Sequence, residues 1–131
     1  MSDTCAVFLR PGRATLDTAA ASLQACGLTV VKTSTHLVVH RPGSPSFAVR
    51  WVTGPHVPRE AIEIGSGTAY EAELSWCSER FEIQISNLGE ALDEINTLME
   101  VQGALQDASG GFLFLPWNGH LSGPWPTSGA A

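Results

Sequence analysis

Charge is scarce in this sequence. Asp, Glu, Lys and Arg make up 15 % of its 131 residues, against the roughly 25 % usual for globular proteins. With hydrophobic residues at 44 %, the low-hydropathy, high-charge composition of a disordered chain is excluded. Cysteine is scarce too. Cys5, Cys26 and Cys77 are odd in number and form no Cys-x-x-Cys pair, which argues against a disulfide framework or a zinc knuckle. Cys5 and Cys26 lie in apolar runs, where a small buried hydrophobe is the expectation. Long apolar runs are missing: stretches such as Phe112–Leu115 fall far short of the about 20 residues that span a bilayer. The N-terminal Met-Ser-Asp-Thr-Cys lacks the charged segment and apolar run of a secretory leader. The expectation is a cytoplasmic protein with no membrane partner.

Catalytic signatures are missing as well. The sequence has no Gly-x-Ser-x-Gly elbow, no His-Glu-x-x-His site, no zinc-deaminase pattern and no phosphate-binding loop. Gly65-Ser-Gly67-Thr68 resembles a fragment of an anion nest but does not follow a strand, so it reads as a helix break. His36 and His40 would be about 13 Å apart on one strand, too far to share a zinc ion. His56 and His120 are the other histidines, in no recognisable catalytic set. No enzyme, metal site or cofactor is expected.

What is present is an uneven charge distribution. The net charge is −6, with a pI near 5.0, which argues against binding nucleic acid through phosphate neutralisation. Residues 1–59 carry six basic side chains against Asp3 and Asp17, a net +4; residues 60–131 carry Arg80 against eleven carboxylates, a net −10. Such asymmetry between halves points to a partner.

The length fits one domain, read as residues 1–123 followed by a loose tail at 124–131. Cys5–Arg10 is a short strand ended by Pro11-Gly12. Leu16, Ala19, Ala20, Leu23 and Cys26 recur at helical spacing, with Thr15 or Asp17 as cap and Gly27 as stop. Leu28–Val31 and His36–His40 are β-rich and read as one long or bent strand, forming a hairpin with Ser46–Val52. A helix begins near Pro58 and breaks at Gly65–Gly67; Ala69–Trp76 resumes it. Arg80–Ser86 alternates as a strand, with Phe81, Ile83 and Ile85 on one face.

Asn87-x-x-Glu90 reads as a capping box opening a helix to about Ala108. Its apolar stripe is Leu88, Leu92, Ile95, Met99, Gln102 and Leu105, with Glu90, Asp93, Glu94 and Glu100 opposite. Phe112–Leu115 closes the domain as a buried strand. The expected fold is α+β: a two-layer sandwich in ferredoxin-like βαββαβ order with an extra C-terminal helix and strand. Among four tryptophans, Trp51 alternates with Val49 and reads as core, Trp76 borders an acidic stretch, and Trp117 and Trp125 are candidates for contact or tail docking.

The segment Glu90–Leu121 carries a likeness. Its helix Asp93–Gln106, the Gly110-Gly111 stop and Trp117-Asn118-Gly119 resemble the C-terminal part of small bacterial immunity proteins of polymorphic toxin systems. The likeness covers about a quarter of the chain and transfers no catalytic residue. It implies a non-enzymatic protein that binds and neutralises a cognate protein toxin. An acidic surface could fill a basic toxin cleft with complementary potential. On that expectation, Glu90, Asp93, Glu94, Glu100 and Trp117 are the partner-binding residues. The alternative is a small ligand-binding or regulatory α+β domain with a pocket near Trp117.

Overall fold

The computed structural model describes residues 3–43, 45–85, 88–93, 95–117 and 119–123. Asn87, Glu94, Asn118, Trp125 and the expected tail at 124–131 lie outside the described residues.

Strand β1 (Asp3–Leu9) is the apolar run expected near the N-terminus. Helix α1 (Leu16–Ala25) follows a capping box at Thr15. The Thr15 hydroxyl accepts from the Thr18 amide, and the Thr18 hydroxyl accepts from the Thr15 amide. This satisfies two donors that the first turn would otherwise leave orphaned. The helix stops at Gly27, whose φ of 84° suits a residue without Cβ. Cys26 therefore falls on the helix's C-terminal cap and is exposed, correcting the expectation that it is buried.

The stretch read as one long strand is two: β2 (Thr29–Lys32) and β3 (His36–His40). The Thr33 hydroxyl accepts from the His36 amide, and the Thr33 amide donates to the His36 carbonyl at 2.9 Å. These bonds close the turn and fold the two strands antiparallel. Strand β4 (Phe47–Thr53) completes the meander. Helix α2 (His56–Gly65) starts two residues before Pro58, a first-turn position that tolerates a missing N–H. Helix α3 shrinks to Glu71–Leu74. Strand β5 (Glu79–Ile85) buries Phe81, Ile83 and Ile85, as its alternation predicts. Helices α4 (Leu88–Asp93) and α5 (Ile95–Ser109) occupy the expected long helix. Strand β6 (Phe112–Leu115) is followed by β7 (His120–Ser122), which the sequence pattern did not reveal.

The fold is mixed α+β, built on one antiparallel sheet of seven strands in the order β2-β3-β4-β5-β1-β6-β7. That is two strands more than the five expected. Strand β1 lies between β5 and β6, with Val7 facing Phe81 on one side and Leu113 on the other. Helices cover both faces, so the arrangement is not a simple two-layer sandwich. On one face α1, α4 and α5 pack over Val7, Phe47, Val49, Phe81, Ile83 and their neighbours. On the other, Val57, Ala61, Leu74 and Cys77 from the α2–α3 region pack over Phe8 and Phe112. Both helical layers bury apolar area from water, the main favourable contribution to folding.

Gly111 marks the tightest join. A Cβ at this position would lie 2.6 Å from the Phe8 carbonyl oxygen and 2.6 Å from Val7 Cγ1. Gly103 on α5 has open space where a Cβ would go. Gly111→Ala should therefore cost ~2 kcal/mol, as overpacking does, whereas Gly103→Ala should add ~0.5–1 kcal/mol through helix propensity. Urea unfolding of the two variants checks this. Equal midpoints would contradict the packing at Gly111.

Candidate functional site

The helix expected to hide its apolar stripe does not do so. Its core side is Ala91, Leu98, Val101, Ala104 and Leu105. Leu92, Ile95 and Met99 are instead 45 %, 40 % and 56 % exposed. The stripe thus splits. Leu105 goes into the core and Leu88 packs partly against it, while Leu92, Ile95 and Met99 are left at the surface. The physical reason lies in α5, whose Leu98, Val101 and Leu105 recur at their own three- and four-residue spacing and dominate the packing. The helix therefore has two apolar sides.

The second side lines an open groove of about 750 Å³ against the β6–β7 hairpin. Leu92, Ile95 and Met99 form one wall; Leu115, Trp117 and His120 belong to the other. Trp117 is half-buried and packs against the main core. Gln106 holds the hairpin to the helix. Its buried amide Nε2 lies 3.3 Å from the Gly111 carbonyl, 3.3 Å from Ser122 and 3.2 Å from Gly123. At the floor lies Gln102, only 6 % exposed. Its Nε2 donates to Cys5 Sγ at 3.6 Å. Burial pushes the Cys5 thiol up to about 12, against a smaller lowering by Gln102, so the sulfur stays neutral.

The expected contact residues distribute unevenly around this groove. Glu90 and Asp93 are exposed on α4, the helix that supplies Leu92. Trp117 lines the groove itself. Glu94 lies outside the described residues. Glu100 is held within the chain. The Arg41 guanidinium grips its carboxylate through both nitrogens, Nη1 to Oε1 at 2.9 Å and Nη2 to Oε2, and Arg41 Nη2 also reaches the Cys26 carbonyl at 3.1 Å. This pair ties α5 to the loop after β3. It was invisible in sequence because its partners are 59 positions apart. Trp51 is half-buried, edge-on to Phe81 at 5.0 Å, and Trp76 is 67 % exposed.

A second cavity, of about 570 Å³, opens on the opposite sheet face beside α2. Arg80 forms an ion pair with Glu60 there, has Glu82 at 4.0 Å, and sits 5.9 Å from the Phe8 ring centre. Arg80 is the one cation of the acidic half, and it is spent on neighbouring carboxylates.

His36 Nδ1 lies within hydrogen-bond distance of the Thr33 and Thr35 hydroxyls, a turn-closing arrangement, and the His120 ring meets Ser122 Oγ at 2.7 Å. Among the described residues, no three of His, Cys, Asp and Glu are grouped to hold a metal ion. Among them also, no helix is long and apolar enough to cross a membrane. No protein-family model, curated protein or solved structure matches this chain.

The Arg41 hydrogen bonds hold the Glu100 carboxyl below its ordinary value of 4.5, with burial opposing them and charge attraction assisting. A lowered carboxylate stabilises the fold above its unfolded value, and the contribution is lost as pH falls through the lowered folded value. Glu100→Gln should therefore be less stable than the parent at about pH 6, and the gap should close towards about pH 3. Parallel urea titrations at the two pH values measure it. A gap that widens in acid would contradict the pairing.

Proposed function

We propose that this protein is a non-enzymatic immunity protein that binds and neutralises a cognate protein toxin. The α4–α5 face, where it meets the β6–β7 hairpin, is the docking surface in this reading. The observation that carries the proposal is the open apolar groove with Leu92, Ile95 and Met99 left exposed beside the carboxylates of Glu90 and Asp93. Protein interfaces combine an apolar centre with a polar rim. Contiguous exposed apolar patches mark interaction sites more often than they occur by chance. The occupant that fits is a protein surface with an apolar projection in a basic surround, given the exposed acids and the net charge of −6.

One further observation supports the reading. The segment that resembles immunity proteins, Glu90–Leu121, supplies most of the groove. The alternative, a small-ligand domain, draws support from the groove's volume, within the roughly 300–1,000 Å³ typical of ligand pockets.

The test uses the full chain and the purified product of the adjacent reading frame. Met99→Glu should weaken the complex by roughly 30-fold or more, the signature of a central interface residue. Glu90→Lys with Asp93→Lys should mainly slow association and flatten its salt dependence. Calorimetry and stopped-flow binding read both. Unchanged affinity for Met99→Glu, with a metabolite-dependent rise in thermal stability, would replace this proposal with the small-ligand one.

A further inference from the structure

Four of the chain's seven lysines and arginines are engaged within it. Arg41 grips Glu100, Arg80 pairs with Glu60, Lys32 pairs with Asp17, and Arg50 Nε donates to Gln84 Oε1 at 3.2 Å. Arg10 and Arg13 are different. Both are exposed, and neither guanidinium has a hydrogen-bond or ion-pair partner among the described residues. They flank Pro11-Gly12, the turn that ends β1. Gly12 takes a φ of 79°, and the Arg13 amide donates to the Arg10 carbonyl at 3.4 Å. The closed turn sets both arginines on the wall of one cavity of about 240 Å³.

The other polar groups around this cavity are spent. The Ser109 hydroxyl donates to the Leu105 carbonyl at 2.6 Å, and the Gly110 amide donates to the Gln106 carbonyl at 2.6 Å. Cys77 Sγ donates to the Glu73 carbonyl at 3.7 Å. Burial pushes the Cys77 thiol up to about 11, with a smaller lowering from the charge of Arg10, so this wall carries no anion of its own. The Glu79 carboxylate accepts from the Gly12 amide at 3.3 Å rather than from either guanidinium. The carbonyl end of α5 favours nearby cations, yet neither arginine side chain bonds to it among the described residues. Two guanidiniums are thus the free donors of the cavity.

From this geometry we infer that the cavity between the β1 turn and the end of α5 is a binding site for a phosphate group, gripped by Arg10 and Arg13. The phosphate is either the free dianion or the end of a small monoester. The site lies apart from the α4–α5 groove and stands independently of it. Two like charges on one cavity repel, and a doubly negative ligand between them replaces repulsion by attraction. Guanidinium groups match phosphate oxygens with paired N–H donors. A carboxylate would leave one of the two charges uncompensated. A cavity of about 240 Å³ is smaller than the roughly 300–1,000 Å³ that encloses a drug-sized ligand, so the charged group enters and a bulky body stays outside.

The experiment is an NMR titration of the full-length isotope-labelled protein with inorganic phosphate, glycerol 3-phosphate, acetate and chloride at matched ionic strength. The expected result is saturable shifts at residues 10–13, Cys77 and Gly110, with phosphate half-saturating at about 1 mM. Acetate should bind at least about tenfold more weakly, and chloride should leave these residues unsaturated. Tighter binding of glycerol 3-phosphate assigns the ligand to a monoester; tighter binding of inorganic phosphate assigns it to the free ion. Arg10→Gln and Arg13→Gln should each weaken phosphate about tenfold. Arg59→Gln, on α2 and away from this cavity, should change nothing.

Acetate binding as well as phosphate would overturn the inference. So would shifts that chloride reproduces, since screening alone would then account for them. Equal losses in Arg59→Gln and Arg10→Gln would contradict it as well, because the attraction would then be to net charge rather than to a site. The comparison of anions on the unaltered chain keeps the test valid should an arginine variant fail to fold.

Discussion

The burial of β1 on both of its faces is the constraint on which the rest of the structure depends. Cys5, Val7 and Leu9 point to one face of the sheet, and Phe8 points to the other. The strand is paired along both edges, to β5 and to β6. A strand in that position needs an apolar layer above and below it. Helices α1, α4 and α5 supply one layer, and the α2–α3 region supplies the other. The join to β6 is close enough that Gly111 has no room for a side chain. From there the chain runs straight into the hairpin that forms the groove wall, so the groove's geometry is inherited from the centre of the sheet.

Helix α5 divides its apolar side chains between the core and the surface. One side packs Leu98, Val101 and Leu105 into the core, while Ile95 and Met99 remain outside. Leaving large apolar side chains in water forfeits the stabilisation that burial would bring, on the order of 1.5–3 kcal/mol for a fully buried one. A partner that covers them recovers it. The charges around the helix are similarly divided. Arg41, from the basic half of the chain, neutralises Glu100 from the acidic half, and Lys32 pairs with Asp17 at the exposed edge. The exposed Lys32–Asp17 pair contributes little to stability.

The local features were the legible ones. The alternation of Phe81, Ile83 and Ile85, the capping at Thr15 and the stop at Gly27 each depend on neighbours within a few positions, so sequence spacing reveals them. Strand β7 has three residues, too few to establish a period. The separation of β2 from β3 depends on the Thr33 hydroxyl closing a turn, which a run of β-branched residues masks. The sheet order depends on contacts between distant segments, as does the Arg41–Glu100 pair. The candidate site was half legible. Glu90, Asp93 and Trp117 were picked out from charge and composition. The groove was missed because periodicity assigned Leu92, Ile95 and Met99 to the core. A helix with two apolar sides presents more hydrophobic positions than one stripe holds, and the excess was the available signal. Gln102 sat in that stripe as its polar exception; it is buried, and its amide donates to Cys5 Sγ.

The central claim is that the α4–α5 and β6–β7 face is where this protein meets its partner. Amide hydrogen exchange of the full chain, with and without the purified product of the adjacent reading frame, tests it most directly. The account predicts slowed exchange in α4, the start of α5 and the β6–β7 hairpin, with β2 and β3 unchanged. Slowed exchange confined to β2–β3 or to the α2 side, with the groove elements unchanged, would contradict it.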